Sequence, residues 1–327
     1  MKIKGILVTM IAPMSNHIAN GGEKILGNAS SIKVRPDGRV YISGQKQRHA
    51  LFSAIERLNF EDGKRNGTFV SNGDGVSNLV EKDIRADLGG YLDTKKETYS
   101  GRRTAPLTAT PAVALKPSEI GRDLLIRLTQ NPKVVTEEAY EKLSAEDKEK
   151  YSKRPQALAT REFSQGDLML MSFHIDVSAV GIRKRFTYQN EMHLETEHVK
   201  HISEDERMRR VRLALEATSS LTEYANNARN ATSGEPQKVL IVFDTKLSRK
   251  ASRYFQQETS ETERQNILRE LEKRKAVYFF GDDTVEGDSV ADAYGKALGF
   301  LEERDNTLFD PTGGAEPIST EQFERAK

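Results

Sequence analysis

Residues 41–51 read Tyr-Ile-Ser-Gly-Gln-Lys-Gln-Arg-His-Ala-Leu, and this stretch decides the fold because an extended run ends here and a helix begins. Ser43 is a favoured N-cap residue, and Gly44 allows the chain to turn closely. Apolar residues then recur at helical spacing as far as Leu58. The pattern predicts a helix over residues 45–58 that packs one face on a core.

The first turn of this helix is polar and basic, with Gln45, Lys46, Gln47 and Arg48 in succession. Free backbone N–H groups and the positive end of the helix dipole enable such a turn to bind phosphate, from a nucleotide or a polynucleotide. An ordinary solvated first turn on a core helix is the alternative, and these residues taken alone favour it, because basic helix starts are common and the dipole disfavours them without an anion.

The composition fits a protein with a hydrophobic core and no strong net charge. The 327 residues allow one large domain or two ordinary ones, and 36% of them are hydrophobic. Lys and Arg total 50 against 49 Asp and Glu, so net charge gives no indication of nucleic-acid binding. The absence of cysteine excludes disulfides and thiolate metal sites. Neither a signal peptide nor a membrane span is predicted, so we expect a cytoplasmic protein with no membrane partner.

The first half of the chain alternates patterned and irregular segments. A β-branched run over 2–13 predicts a central strand, and Pro36-Asp37-Gly38 predicts a turn inside a short hairpin that leads to the first helix. Residues 59–166 have weak periodicity and low apolar content. We expect them to form an insertion that reaches out of the domain, because long irregular excursions are uncommon unless functional.

The second half returns to regular patterns. A dense β-pattern over 168–180 leads into an alternating arm, and Ser203 begins a second helix. Further strands and helices are predicted up to residue 303, and the tail from 304 is expected to be loosely held. The order strand, helix, insertion, strand, arm, helix and strand predicts an α+β fold of the ferredoxin-like kind found in RRM-type RNA-binding proteins.

Three segments in the same order resemble a known family. They are the Ile-Ser-Gly-Gln-x-x-Arg-His-Ala-Leu stretch at 42–51, the Gly-Arg-Arg-Thr-Ala-Pro-Leu-Thr segment at 101–108 with its continuation to Leu115, and the Ser-Phe-His-Ile-Asp-Val-Ser-Ala-Val-Gly segment at 172–181. Together they resemble the DevR-like backbone subunit of type I CRISPR effector complexes (Cascade), over roughly the first two thirds of the chain. The resemblance implies a ferredoxin-like palm, fingers and a thumb hairpin, with these parts: palm 1–58, finger insertion 59–166, palm strand 167–181, thumb hairpin 182–202, palm 203–303 and C-terminal tail 304–327.

The resemblance also implies a function. Many copies of such a subunit form a helical filament on CRISPR RNA, hold it by its phosphates whatever its sequence, and order it for pairing with target DNA as an R-loop in antiviral defence. The implied subtype is I-B. The implied partners are further copies of the chain, the subunit that caps the 5′ handle of the guide, the large subunit that reads the PAM, and a helicase-nuclease recruited later. No cofactor is implied.

The candidate RNA-binding residues come from the chemistry of basic side chains and from the family resemblance. Arginine forks and lysine ammonium groups bind phosphate oxygens, which indicates Lys46, Arg48, Arg102, Arg103, Arg183 and Arg185, although scattered solvated bases would look the same. By resemblance, Ser43, Gln45 and Gln47 join them at the helix start, and Asn16 and His17 in the loop after the first strand. By resemblance, the thumb separates guide bases, and its wedge candidates are Phe186, Tyr188 and Met192. A hairpin that packs these side chains inward is the alternative.

The sequence predicts no catalytic or metal site. The histidines and glutamates at 193–201 match no zinc-site spacing, and the acidic residues at 282–288 suit a solvated loop or a surface that meets a basic neighbour better than a magnesium site. Related type III subunits cut RNA with an Asp in the loop after the first strand, where this chain has Glu23 but no Asp. We therefore expect no nuclease activity. A type III-like RNA endonuclease and a single-copy RRM-type RNA-binding protein are the alternatives.

Overall fold

The elements of secondary structure alternate along the chain. A computed structural model describes residues 1–25, 29–72, 77–92, 102–128, 136–152, 156–190 and 192–325. Its strands are, in chain order, β1 (Lys2–Ile3), β2 (Gly5–His17), β3 (Glu23–Lys24), β4 (Ser30–Ser31), β5 (Tyr41–Ile42), β6 (Tyr91–Leu92), β7 (Arg102–Arg103), β8 (Leu107–Ala109), β9 (Ala112–Ala114), β10 (Ile120–Leu128), β11 (Gln156–Asp176), β12 (Ile182–Gln189), β13 (Met192–Lys200), β14 (Lys238–Asp244), β15 (Val277–Asp282) and β16 (Thr307–Leu308). Its helices are α1 (Gly44–Glu61), α2 (Ile84–Gly89), α3 (Glu137–Glu141), α4 (Ala145–Ser152), α5 (Glu204–Ala217), α6 (Glu261–Lys273), α7 (Val290–Glu302) and α8 (Thr320–Arg325).

Two long antiparallel strands, β2 and β11, form the centre of the main sheet. Their register pairs Gly5 with Asp176 at one end and His17 with Ser164 at the other. On the other side of β2 lies β14, which in turn pairs with β15, both antiparallel. On the other side of β11 lie β8 and β9, also antiparallel. The order across the sheet is therefore β15, β14, β2, β11, and then β8 and β9.

Alternation along β2 gives the sheet two apolar faces. Ile6, Val8 and Met10 belong to the larger core, which also includes buried residues of α1, α5 and α7. Leu7 and Ile11 point to the opposite face, where Ala251, Phe255 and residues of α6 cover them. We call these two sides the helical face and the second face. The confirmed fold class is therefore α+β, with helices on both sides of a mostly antiparallel sheet.

Several local predictions are confirmed. Helix α1 begins directly after Ser43, whose side chain accepts a hydrogen bond from the Lys46 N–H at 3.2 Å. Ser203 caps α5 in the same way through Glu206 N–H. The Pro36-Asp37-Gly38 turn closes a short hairpin in which Gly38 adopts a φ of +80°. These outcomes follow from short-range chemistry that the sequence displays directly.

Two predictions about larger segments are wrong. Much of 59–166 belongs to the domain, because Ile84 and Leu88 of α2 are fully buried in the larger core and β8 and β9 pair with β11. The part of this segment that extends from the domain is the ribbon formed by β10 and the first part of β11. Strand β11 begins at Gln156, well before the strand that the sequence predicts from residue 168. The tail from 304 is also held firmly, because β16 pairs with β1 and Phe323 of α8 is 2% exposed.

Candidate nucleic-acid interface

The first turn of α1 is open to an anion. Ser43 and Gln45 are exposed, Lys46 is half-buried, and the turn contains no acidic residue. Burial lowers the pKa of Lys46, while the nearby Glu223 carboxylate opposes that shift. Because desolvation disfavours the ammonium form, a phosphate bound here would offset a cost that the free protein carries.

One turn further along, two arginines flank the ring of Phe52. The guanidinium carbon of Arg48 is 5.8 Å from the ring centroid, and that of Arg85 on α2 is 4.7 Å from it. Arg48 donates to the Gly89 carbonyl at 2.6 Å, yet the buried Nε atoms of both arginines have no hydrogen-bond partner within the described part of the chain. Burial lowers the pKa of both groups, and Arg48 adds repulsion at Arg85. Both side chains are half-buried, so the exposed part of each guanidinium group, rather than its buried Nε, could contact a phosphate.

The two residues predicted to contact RNA in the loop after β2 lie in different environments. Asn16 is exposed, with a φ of +46°, and its carbonyl accepts from Asn230 Nδ2 at 2.7 Å. His17 is fully buried, and its Nε2 lies 2.8 Å from a carboxylate oxygen of Asp167. Burial acts to raise the pKa of Asp167, but hydrogen bonds, first of all from His17, hold it below its usual value. His17 therefore fixes the end of the sheet, which corrects its predicted place at the RNA.

Two more predicted residues are buried inside the protein. Gln47 is fully buried and accepts a hydrogen bond from the Tyr224 hydroxyl at 3.0 Å, so it anchors α1 to the loop at 222–230. The Arg103 guanidinium is buried against Asp87 and donates to the carbonyls of Ile182 and Ala179. Neither side chain is available to a strand on the surface. The side chain of Arg102, and Gly101 before it, lie outside the described residues.

The basic triplet at 183–185 lies at the base of the β12–β13 hairpin, where α8 covers part of it. Arg183 is 8% exposed, lies 4.0 Å from the Phe323 ring centroid and donates to Glu324 at 3.0 Å. This corrects its predicted contact with RNA. Arg185 is partly exposed and binds Glu197 at 3.2 Å across the hairpin.

The tip of this hairpin presents the predicted wedge candidates to solvent. Phe186, Tyr188 and Met192 are 39%, 53% and 64% exposed. The ring of His193 lies between the two aromatic rings, with centroids 6.0 Å from Phe186 and 5.7 Å from Tyr188. Leu194, which sequence reasoning missed, adds a fourth exposed apolar side chain, since it is 55% exposed. Such a group can stack on bases or be covered by another protein surface.

Hydrogen bonds through α2 connect the start of α1 with the base of the β12–β13 hairpin. Asp87 of α2 binds both Arg103 and the Gly181 N–H at the base of the hairpin, while Gly89 binds Arg48 of α1. We call the exposed or half-buried cations along this path the basic strip; they are Lys46, Arg48, Arg85 and Arg185. Sequence reasoning missed Arg85 because nothing near it in the chain marks it. It also missed the loop at 222–230, although the Asn-rich run with exposed Arg229 was a visible signal.

Other site classes find little support in the described part of the chain. The described residues contain no group of three His, Asp or Glu side chains that could hold a metal ion. His193 binds Thr196, and His201 binds the Ile318 carbonyl. Asp282 is held by Lys238 and Thr284. Among the described helices, none has the length and apolar character needed to span a membrane.

Comparisons with known proteins agree with one another. A sequence model of the family described as CRISPR-associated negative auto-regulator DevR/Csa2 matches residues 39–242. A search of curated proteins gives no match. Among solved structures, one chain described as a CRISPR RNA-guided surveillance complex is 15% identical, with a TM-score of 0.51 over 90% of this chain and 99% of that chain. Another, from such a complex described as pre-nicking, is 13% identical, with a TM-score of 0.51 over 91% and 99%. At these identities the likeness concerns the fold.

Proposed function

Since the chain belongs to the CRISPR-associated DevR/Csa2 family, we propose that it is an RNA-binding backbone subunit of a type I Cascade complex, of subtype I-B. The observation that carries the proposal is the family match over residues 39–242, because that range contains α1, α2, the β12–β13 hairpin and every member of the basic strip. The likeness in fold to chains of surveillance complexes over 90% of this chain supports it.

The topology supports a ferredoxin-like palm with a thumb. Strand β2, helix α1, strands β8 and β9, strand β11, helix α5 and strand β14 follow one another in the chain. In the sheet they lie in the order β14, β2, β11, and then β8 and β9, all antiparallel. This is the arrangement of a split β-α-β fold. The β12–β13 hairpin leaves the palm between β11 and α5, where a thumb is expected.

The basic strip fits binding to a phosphate backbone without reading of sequence. Two of its cations, Lys46 and Arg48, lie in the first turns of α1 beside its free backbone N–H groups, and both kinds of donor can bind phosphate oxygens. Asn16, Ser43 and Gln45 extend the strip with exposed polar side chains. The hairpin tip, with Phe186, Tyr188 and Met192, then separates guide bases at intervals. Specificity is delegated to base pairing between the guide and target DNA.

In this role several copies form a helical filament on CRISPR RNA in the cytoplasm. The further partners are the subunit that caps the 5′ handle, the large subunit that reads the PAM and the recruited helicase-nuclease. The chain itself carries no catalytic role, which separates it from a type III-like RNA endonuclease. Filament formation separates it from a single-copy RRM-type protein.

Fluorescence anisotropy with two guide-length RNAs of unrelated sequence tests the binding mode. We expect affinities that agree within about threefold and a steep fall in affinity with salt, because phosphate contacts release counterions. A preference of a hundredfold or more for one sequence would instead favour the single-copy RNA-binding protein. Incubation of the complex with complementary RNA and magnesium tests the other alternative. Cleavage there would contradict the non-catalytic role.

A further inference from the structure

The second face of the main sheet has an uncovered part. Along β11, His174 is 3% exposed beneath the segment after β14, whereas Leu168 nearer the other end is 44% exposed. Between these two lies a groove of about 410 Å³. Val113, Leu115 and Leu170 form its apolar floor. Its polar lining includes Arg35, Ser252 and Gln256, and also Arg39 and Glu258, which pair with each other at 3.8 Å. The groove is open on one side, and its volume is sufficient for one heterocyclic base.

A row of cations leads away from this groove along the segment that follows β14. Residues 246–253 connect β14 to the wall of the groove, and they expose Lys246, Arg249, Lys250 and Arg253 to solvent. Lys250 is paired with Glu270. For Lys246, Arg249 and Arg253, no carboxylate of the described residues lies within ion-pairing distance. The hydrogen bond from Lys250 lowers the pKa of the Glu270 carboxylate and the charge of Arg253 adds to this effect, whereas Lys246 and Arg249 have no such acidic neighbour among the described groups whose pKa is shifted. The charge of these cations is more available to an anionic partner than that of the paired surface cations.

This surface is separate from the basic strip. Ala251 and Phe255 of the same segment pack on Leu7 and Ile11 on the second face. The residues of α1 pack with Ile6 and Val8 on the helical face. Because adjacent residues of a strand point to opposite faces, the sheet lies between the two surfaces. A strand bound along the basic strip would leave the groove and its cations uncovered.

We propose that the groove and the cations of 246–253 form a second binding surface for a single-stranded polynucleotide, one base lying in the groove and phosphates lying on Lys246, Arg249 and Arg253. The proposal rests on the proposed function in one respect, that the first strand occupies the basic strip. A nucleotide offers a flat apolar body and a regularly repeated negative charge, which this floor and this row of cations match. An acidic peptide offers the charge without the flat body, so the polynucleotide is the better occupant.

The test uses the full chain saturated with a labelled guide-length RNA, to which a 20-nucleotide oligo(dT) with a different label is added. We expect the oligonucleotide to bind while the guide stays bound. In the variant K246Q/R249Q/R253Q, the slope of log affinity against log salt for oligo(dT) should fall by about 2, since each single-strand phosphate contact contributes about 0.7. A fall of about 2 in the slope corresponds to an affinity for oligo(dT) that is about a hundredfold lower than that of the wild type at 0.1 M salt. Guide binding should be unchanged, which also shows that the variant is folded.

A matched control is K64Q/R65Q/R304Q, which removes the same charge from exposed residues elsewhere. Equal loss of oligo(dT) binding in both variants would overturn the proposal, as would normal guide binding with no oligo(dT) binding by the wild type. An abasic strand of the same length should bind several-fold more weakly than oligo(dT). If polyglutamate of equal charge bound as tightly as oligo(dT), the surface would belong to an acidic protein segment. Failure of the wild type to bind guide RNA would contradict the proposed function instead.

Discussion

Replacing Asp87 with asparagine tests the buried ion cluster that joins α2, α5 and the base of the hairpin. The Asp87 carboxylate is fully buried. It accepts a hydrogen bond from the Gly181 N–H at 2.9 Å and one from Arg210 Nη1 at 2.8 Å, and it binds Arg103. The asparagine side chain keeps the shape but removes the negative charge and supplies an amide N–H₂ where an acceptor is needed.

The magnitude follows from what the two guanidinium groups retain. Removing one partner of a buried ion pair costs about 3–5 kcal/mol, because a charge is left uncompensated in a low dielectric. Arg210 keeps Glu206 at 2.7 Å, and Arg103 keeps its three backbone carbonyls. We therefore expect the lower end, a loss of about 3 kcal/mol in the free energy of unfolding. For a chain of this size, whose entropy of unfolding is about 0.7 kcal/mol/K, that lowers Tm by about 4 °C.

Urea denaturation followed by circular dichroism measures the loss for D87N. The control D37N removes an exposed carboxylate that pairs with Arg39, and it should leave the denaturation midpoint unchanged within error. A loss below about 1 kcal/mol for D87N would show that the cluster tolerates two uncompensated cations. The argument that α2 fixes the base of the hairpin would then be refuted.

Three further predictions concern the strip, the sheet and the hairpin base. Replacing Lys46, Arg48 and Arg85 together with glutamine should lower the salt slope of RNA binding by about 2, whatever the RNA sequence, as anisotropy titrations at several salt concentrations would measure. Burial lowers the pKa of His174 to about 4, so between pH 6.5 and pH 4 the unfolded state binds a proton that the folded state rejects. The neutral, buried imidazole therefore contributes about 3 kcal/mol to the free energy of unfolding above pH 6.5, and this contribution is lost as the pH falls to 4. The variant H174Q should show a smaller loss of stability over that pH range in urea titrations. Gly181→Ala should destabilise the protein by about 2 kcal/mol or more in the same assay, because Gly181 has a φ of +68° and a Cβ there would lie 2.2 Å from Ile202 Cγ1.

Each of these predictions has its own control. An unchanged salt slope in the triple glutamine variant would exclude the basic strip as the phosphate site. Burial lowers the pKa of His201 to about 4 as well, so acid sensitivity should fall further when both histidines are replaced. If H174Q kept the full dependence between pH 6.5 and 4, the assignment to His174 would be wrong. Gly299 lies in helix α7 and has no neighbouring atom within 4 Å of a Cβ position. Gly299→Ala is therefore the control for Gly181→Ala, and it should stabilise the protein by about 0.5–1 kcal/mol.

Local chemistry made parts of this fold predictable. Ser43 and Ser203 cap their helices as their sequence contexts indicate, and the Pro36-Asp37-Gly38 turn closes its hairpin. Each of these features depends on residues within four positions of one another. The hairpin over β12 and β13 was visible for a related reason, since its alternation is carried by neighbouring residues.

The fate of a basic side chain was not predictable, because it depends on partners far away in the chain. In the sequence, Arg103 and Arg183 look like surface cations. In the structure, Arg103 is buried in an ion pair with Asp87, and Arg183 is covered by Phe323 and Glu324. Arg85 joins the basic strip only because α2 packs beside α1. The interpretation of 59–166 as an excursion failed for the same reason, since short strands of modest apolarity complete a sheet edge supplied by another segment.

The central claim is that many copies of this chain assemble on one RNA and hold its backbone. Native mass spectrometry of the protein with a guide-length RNA, at moderate salt, tests it most directly. We predict a ladder of species with several protein copies per RNA, the same for unrelated RNA sequences, and no such ladder for the variant in which Lys46, Arg48 and Arg85 are replaced. A single one-to-one complex, or a ladder that depends on RNA sequence, would contradict the account.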